Sequence, residues 1–234
     1  MEYSIHNASE LEARVLEYGI LPLFNCCVPG LSASEMTPGG LWFSDVDDEG
    51  LGLWGWKAPV IRGRKCAYGQ FFAGKKGFVS LDLLPDFINW RCHRWGTKDE
   101  NKTAMEEIVL EVLGVAGQMT KAEIRTAMGY GYKRQSAADP VDLRAEKKLP
   151  LDPILSGLQK QGRVIISDIT PRINRLGDED KYGWQVAHFA RPEDIFGREN
   201  LRAERTAEES KEKITDHLSS ILPGVDRQLI EKLI

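Results

Sequence analysis

The side chains of this sequence that could carry chemistry are basic and aromatic, and they are concentrated in its first half. Residues 57–98 hold nine lysines and arginines against two aspartates, a balance of +7. Tryptophan, tyrosine and phenylalanine residues are interleaved with these cations. Cations neutralise phosphate groups and aromatic rings stack on unpaired bases, so the segment predicts a nucleic-acid partner.

The acidic residues allow a second interpretation of the same pattern. Residues 1–56 hold nine acids against Arg14, a balance of −8, and the whole chain has a net charge of −4. The acidic and basic segments could neutralise each other inside one folded module, whose core the aromatic residues would form. Both interpretations remain open at the level of sequence.

Other patterns with catalytic potential are incomplete. Residues 45–49 imitate the start of a calcium-binding loop, but the twelfth position is Trp56, where a bidentate glutamate is needed. Cys92 and His93 are neighbours in a predicted helix, so they cannot face each other as nucleophile and base. The sequence has neither a phosphate-binding glycine loop nor the spacing of a zinc site. We therefore predict no metal and no cofactor.

Composition indicates an ordinary globular protein. Hydrophobic residues make up 42% of the chain and charged residues 28%. No apolar stretch approaches the roughly 18 to 20 residues that span a bilayer, and the first residues lack the pattern of a signal peptide. The four cysteines are too irregularly spaced for a disulfide framework. We expect a cytoplasmic protein with reduced thiols and no membrane contact.

Residues 103–190 have the order of elements of a winged helix. Thr103 with Glu106, and Thr120 with Glu123, have the spacing of capping boxes that begin two helices. Asp152 is a favourable cap for a third helix, which ends near residue 162. Residues 163–169 and 182–189 then predict a β-hairpin wing. Three helices and a hairpin in this order are typical of a helix-turn-helix with a wing.

Helix three, the candidate recognition helix, is poor in base-reading and phosphate-binding residues. Of its predicted outward positions, Ser156, Gly157, Gln159, Lys160 and Gln161, one is cationic. The connection 129–150 is long for a turn and is rich in bases, so it is the better candidate for phosphate contact. An alternative is that this connection is a disordered insertion.

The two ends of the chain predict further elements. A helix from about Ser9, strands at residues 66–72 and 77–80 and a short helix at 83–90 are compatible with a second, degenerate winged helix. Thr206 and Glu209 begin another capped helix, and the last residues are strongly apolar. We expect this arm to dock on its own domain or on a second copy, which would give a homodimer.

Eight short segments of the sequence carry a family resemblance. These are residues 16–24, 28–31, 37–38, 54–56, 65–72, 76–80, 164–168 and 181–184. The sequence resembles bacterial proteins related to the AlkZ (YcaQ-type) DNA glycosylases over roughly residues 10 to 197. The resemblance implies a protein built from winged helices, with DNA repair as its background. The true glycosylases of that group excise alkylated or crosslinked bases without a metal.

The sequence departs from that group at its catalytic motif. The resemblance implies a Gln-x-Gln or Gln-x-Asp motif near the start of the chain, but the first glutamine is Gln70. Gln159 and Gln161 fit the letters, yet they lie at the end of helix three, and we interpret the match as coincidence. The resemblance therefore supports the fold and a DNA partner more than it supports base excision.

Together these patterns predict an α+β protein of winged-helix modules with a C-terminal helical arm. The expected divisions are 1–100, 101–197 with the insertion, and 198–234. The leading function is DNA binding without catalysis; the alternatives are a divergent DNA glycosylase and a protein-interaction or dimerisation module. The predicted nucleic-acid-binding residues are Arg62, Arg64, Lys65, Lys75, Lys76, Arg91, Arg94, Lys133, Arg134, Lys160, Arg163, Arg172, Arg175 and Lys181.

Overall fold

A computed structural model describes residues 4–43, 52–96, 99–129, 150–173, 179–180 and 185–234. Its first half alternates helices with the strands of a small sheet. In chain order these elements are α1 (Ala8–Tyr18), β1 (Ile20–Pro22), α2 (Ala33–Met36), α3 (Gly52–Arg62), β2 (Cys66–Phe72), β3 (Lys75–Ser80) and α4 (Leu84–Trp95). The three strands are antiparallel in the order β1-β3-β2, with Ile20 opposite Val79 and Tyr68 opposite Phe78.

The second half repeats this order of elements. The elements are α5 (Glu100–Ala116), β4 (Met119–Thr120), α6 (Lys121–Ala127), α7 (Leu151–Lys160), β5 (Ile165–Thr170), β6 (Arg172–Ile173), β7 (Glu179–Asp180) and β8 (Val186–Ala190). The strands β4, β8 and β5 form an antiparallel sheet in that order, and β6 with β7 extends the hairpin. In each half a strand between helices one and two pairs with the last strand of the hairpin. The winged-helix prediction is confirmed, and both halves have this topology.

Three helix starts differ from the prediction. Helix α7 begins at Leu151 after Pro150, so the predicted cap Asp152 lies inside the helix. Helix α5 begins at Glu100, because the Asp99 side chain accepts a hydrogen bond from the Lys102 backbone N–H at 3.1 Å. Thr103 therefore lies inside the helix, where its hydroxyl donates to the Asp99 carbonyl. Helix α1 begins at Ala8, because Asn7 is its cap. An earlier asparagine or aspartate replaces the predicted cap in α1 and α5.

The C-terminal arm packs on α4 of the same chain. Its elements are α8 (Pro192–Phe196), a 3-10 helix (Glu199–Leu201), α9 (Ala207–Ile221) and α10 (Arg227–Leu233). The predicted capping box of Thr206 and Glu209 is confirmed at the start of α9. Ile230, Leu233 and Ile234 are buried, so the apolar end of the arm is covered by its own chain.

A buried carboxylate fixes the arm to α4. Asp86 accepts hydrogen bonds from the Lys213 ammonium at 2.6 Å and from the Ser210 hydroxyl at 2.9 Å, and Arg205 lies 3.5 Å away. Asp86 itself is 3% exposed. Buried charges are tolerated when they are paired and hydrogen-bonded, and these three partners come from the arm or the segment before it.

The apolar residues of both winged helices and of the arm belong to one continuous core. The cross-contacts between the modules are reciprocal, because α3 packs on β5 while α7 packs on β2. Among the described residues, no helix is long and apolar enough to cross a membrane. The strand β2 also contacts β5, so the two sheets meet at the centre of the molecule.

Candidate nucleic-acid interface

The third helix of the first module is fastened to the sheet of the second. The Arg62 guanidinium donates to the Asp168 carboxylate at 2.9 Å and to the Ile169 carbonyl at 2.8 Å. Arg64 follows it and donates to the Ser167 carbonyl at 2.6 Å. These bonds satisfy the backbone of β5 next to its register shift between Ile166 and Asp168. Two of the predicted DNA-binding arginines therefore join the modules.

The third helix of the second module makes the reciprocal contact. Gln159 accepts a hydrogen bond from the Gln70 backbone N–H in β2 at 3.1 Å, and its own amide donates to the Leu155 carbonyl at 3.3 Å. Gln70 in turn donates through its side chain to the Gly74 carbonyl at 2.6 Å in the β2–β3 turn. The two glutamines therefore connect α7 to the first sheet.

This packing leaves little of either third helix free to enter a groove of DNA. Helix α3 exposes Pro59 and Arg62, while the rest of its described residues are buried or half-buried. Helix α7 exposes Asp152 and Pro153. A proline has no donor for a base edge and an aspartate repels phosphate, so neither helix has the surface of a recognition helix.

The prediction that Gln159 and Gln161 face outward from helix three is wrong. Gln159 and Gln161 are 5% and 3% exposed. Gln161 follows α7 and donates to the Glu106 carboxylate of α5 at 3.3 Å, which explains why Glu106 is buried rather than part of a capping box. An amide can be buried at low cost when its hydrogen bonds are satisfied, and both glutamines meet that condition.

A cavity of about 440 Å³ opens where the two modules meet. It is lined by Gln70, Lys76, Lys121, Asp152, Pro153, Leu155, Ser156, Gln159, Ile166 and Phe189. We call it the junction cavity. Lys121 and Asp152 form an ion pair of 2.5 Å on its wall, so their charges cancel. The residues come from both sheets, from the first turn of α6 and from α7 along its length, so the cavity exists only when both modules are folded.

Lys76 is the uncompensated charge of the junction cavity. It is half-buried on β3, and its ammonium has no hydrogen bond or ion pair with another described residue. Burial lowers the pKa of its ammonium. An amine of this kind is available to an anionic ligand, because binding a phosphate would replace the hydration that the cavity has removed.

A second buried amine lies near Lys76. Lys57 of α3 is 2% exposed, donates to Gln185 at 2.9 Å and to the Trp54 carbonyl, and lies 3.5 Å from the centre of the Trp54 ring. Burial and the charge of Lys76 lower the pKa of Lys57 to about 7. Lys57 thereby joins α3 to Gln185, the residue that precedes β8. Burial disfavours the charged form of its amine at this position.

Three further predicted cations are bound within the protein. Lys65 pairs with Glu12 at 2.6 Å, which is one instance of neutralisation between the acidic and basic segments. Lys75 donates to the Asn25 carbonyl at 2.7 Å, and Arg163 pairs with Glu107 at 2.7 Å. Each contact is exposed or half-buried, so these side chains can still turn toward a phosphate at small cost.

Arg91 and Arg94 hold the C-terminal arm. Arg91 is 2% exposed and donates to the Leu233 carbonyl at 3.0 Å, while Arg94 donates to the Ile234 carbonyl at 2.6 Å. Burial and the neighbouring Arg94 lower the pKa of the Arg91 guanidinium. Because Arg91 is enclosed, it has no surface to offer to a nucleic acid in this conformation.

The remaining predicted residues differ in what the structure says of them. Lys160 is half-buried and Arg172 is exposed. Neither side chain has a hydrogen bond or ion pair with a described residue. Lys133, Arg134, Arg175 and Lys181 lie outside the described residues. The four cysteines are free thiols; Cys66 is buried and the other three are half-buried.

The junction residues Gln70, Gln159 and Lys57 were not predicted to meet. One signal in the sequence could have indicated Gln70, because it is the one strongly polar residue in the otherwise apolar strand Cys66–Phe72. An isolated amide in a buried strand needs a partner. The Gln70 side chain finds that partner four positions along, at the Gly74 carbonyl. The contact with Gln159, 89 positions away, uses the Gln70 backbone N–H, and no local pattern identifies it.

Comparisons with other proteins agree with the resemblance in the sequence. A family model described as AlkZ related matches residues 5–234. No curated protein matches the chain. Among solved structures, the DNA glycosylase AlkZ of Streptomyces sahachiroi is similar, with 13% sequence identity and a TM-score of 0.49. The match covers 92% of this chain and 51% of that one, so the chain spans about half the length of that structure.

Proposed function

Because the chain belongs to the AlkZ-related family, we propose that it binds DNA through the phosphate backbone, without base excision. The family takes its name from a DNA glycosylase, a protein that acts on DNA. The observation that carries the proposal is the unpaired Lys76 in a cavity between two winged helices whose third helices are covered. Such a protein would contact phosphates rather than read bases.

Cations in the segments that adjoin the cavity-lining elements in sequence support this proposal. The first turn of α7 lines the cavity, and residues 130–149, which join α6 to α7, contain Lys133 and Arg134. Lys160, Arg172, Arg175 and Lys181 belong to the same module and would add further cations. We propose that these residues and Lys76 share the contact with one DNA backbone, and that Arg62 and Arg64 serve the junction between the modules.

Fluorescence anisotropy with a labelled duplex at increasing salt tests the proposal. Each neutralised phosphate adds about 0.9 to the slope of log affinity against log salt, so K76Q should lower that slope by about this amount. Lys232, an exposed residue of α10 without a described partner, provides the control variant K232Q. No binding at about 50 mM salt, or equal slopes for K76Q and wild type, would overturn the proposal.

Base excision is the second candidate, and the pair of glutamines favours it. Gln70 and Gln159 line a cavity of about 440 Å³, within the range of roughly 300 to 1,000 Å³ that is typical of small-ligand sites. Their amides could hydrogen-bond to the edge of a base. Release of a base from alkylated DNA in single-turnover assays, abolished in Q70L and retained in K232Q, would favour this candidate over simple binding.

A further inference from the structure

A second cavity, separate from the junction cavity, lies between the second winged helix and the arm. It has a volume of about 460 Å³. Its walls come from α4, from α5, from the turn after α7, and from the segment that contains α8 and the 3-10 helix. We call it the arginine cleft, because Arg163, Arg191, Arg198 and Arg202 all line it.

The arginine cleft is electropositive. Its four arginines face three acids, Glu107, Glu193 and the Asp194 that Arg191 binds, which leaves a formal charge of +1 from these residues (four minus three). Sequence composition conceals the excess, because the arginines of residues 191–205 alternate with as many acids. Folding leaves the excess in the cleft, because Arg198 and Arg202 line it whereas Glu199 and Glu204 do not.

The arginines divide into two bound and two free. Arg163 pairs with Glu107 at 2.7 Å, and Arg191 makes two hydrogen bonds to the Asp194 carboxylate at 2.7 and 2.6 Å. Arg198 and Arg202 are exposed, and their guanidinium groups have no hydrogen bond or ion pair within the described part of the chain. The cleft therefore offers two guanidinium groups whose donors are unused.

The wall around the bound arginines is closely packed at two glycines. Arg191 lies directly against α5 at Gly114, where an added Cβ would come within 2.6 Å of the guanidinium. Gly162 has a φ of +75° and lets the turn after α7 approach Ile88 of α4. The positive φ favours glycine at position 162, and the absence of a Cβ at position 114 lets the Arg191 guanidinium lie against the helix. The wall of the cleft is thus built before a ligand arrives.

The cleft also has an apolar part. Ile88, Leu110, Pro192 and Leu201 line it together with the arginines. A purely cationic patch would suit any anion, whereas this combination suits an anion that carries an apolar body. Each guanidinium presents a planar fork of donors that matches the oxygens of a phosphate, and two free forks exceed what one carboxylate can accept.

We propose that the arginine cleft binds a nucleotide, with Arg198 and Arg202 on its terminal phosphate and the apolar wall against its base. The phosphate could belong to a free nucleoside monophosphate or to the 5′ end of a DNA strand, which present the same chemistry. The cleft does not share a residue with the junction cavity, so this inference stands independently of the proposed function.

Isothermal titration calorimetry of the full chain tests the inference with thymidine monophosphate, inorganic phosphate and thymidine as probes. The double variant R198Q/R202Q should weaken thymidine monophosphate binding at least tenfold. The matched control R125Q/K232Q removes two exposed, unpartnered cations outside the cleft. Thermal unfolding of both variants should follow the wild type, because neither set of side chains holds the fold together.

The outcomes separate the alternatives. Binding of the monophosphate that exceeds both other probes and is lost in R198Q/R202Q supports the inference. Tighter binding of a 5′-phosphorylated oligonucleotide than of its 5′-hydroxyl form identifies the strand end as the source, and equal binding identifies the free nucleotide. No binding of the monophosphate, equal weakening in the control, or no preference over inorganic phosphate overturns it. A dumbbell duplex without ends tests the proposed DNA binding separately, since R198Q/R202Q should leave its affinity unchanged.

Discussion

The Gln159 side chain of α7 accepts a hydrogen bond from the Gln70 backbone N–H of β2 at 3.1 Å, across the junction of the two winged helices. This bond satisfies a donor in a strand whose other residues are buried. It also brings two amide side chains to one wall of the junction cavity. A helix that reads DNA in many winged-helix proteins is here an internal support.

Removing the Gln159 amide should destabilise the protein measurably. Q159A leaves the Gln70 N–H and the Leu155 carbonyl with one partner fewer, which typically costs roughly 1–3 kcal/mol. The neighbouring variant K160A removes a half-buried side chain without a described partner and should change the free energy of unfolding by less than about 0.5 kcal/mol. Urea denaturation measures both. Equal effects of the two variants would show that the inter-module bond contributes nothing.

The repeated winged-helix topology was accessible from sequence because its signals are local. The capping box of Thr120 and Glu123 and the apolar strand 66–72 depend on residues within a few positions of each other. The packing of the modules was not accessible. Gln159 and Gln161 have the composition of a solvent-facing helix end, and their burial depends on Gln70 and Glu106, which are distant in sequence.

The predicted DNA-binding residues show the same contrast between local signals and contacts made by residues distant in sequence. Positive charge in residues 57–98 was visible, but charge does not reveal which cations are already bonded. Arg62 and Arg91 have acceptors in β5 and α10, more than 100 positions away. The arginine cleft escaped notice for the opposite reason, because residues 191–205 hold as many acids as arginines. Only the fold shows that Glu199 and Glu204 do not line the cleft.

Lys57 should make stability depend on pH. The pKa of Lys57 is about 7 in the folded protein and 10.5 when the side chain is solvated, as in the unfolded chain. Between these pH values the unfolded chain therefore binds one more proton than the folded protein. Stability from this group therefore rises with pH through that window, by at most about 1.4 kcal/mol per pH unit, and the full penalty applies below pH 7. K57M should lack this rise when unfolding is followed in urea at several pH values. If the free energy of unfolding changed with pH equally in K57M and wild type, the lowered pKa of Lys57 would be contradicted.

The arm should contribute stability through its buried end. Leu233 is 5% exposed in α10, which packs on α9, so L233A should cost about 2–5 kcal/mol through lost burial and the cavity that remains. K232A changes the adjacent exposed residue and should have little effect. Thermal or urea unfolding compares the two. If L233A unfolds like K232A, the arm is not docked as described.

Asp86 should act as the electrostatic anchor of the same arm. D86N keeps the shape of the side chain but removes the charge that Lys213 and Arg205 share, and we expect a loss of about 1–3 kcal/mol. The double-mutant cycle with K213M isolates the contact between Asp86 and Lys213. A coupling energy near zero would assign the stabilisation to the Ser210 hydrogen bond instead.

DNA binding through the phosphate backbone is tested most directly by measuring the protein's affinity for a panel of duplexes of equal length and unrelated sequence at low salt. Both third helices are covered, so DNA binding through phosphates should give dissociation constants that agree within about threefold and weaken together as salt rises. A single duplex bound more than about a thousandfold more tightly than the rest would contradict it, because such a preference requires base readout. Absence of binding to every duplex would contradict it equally.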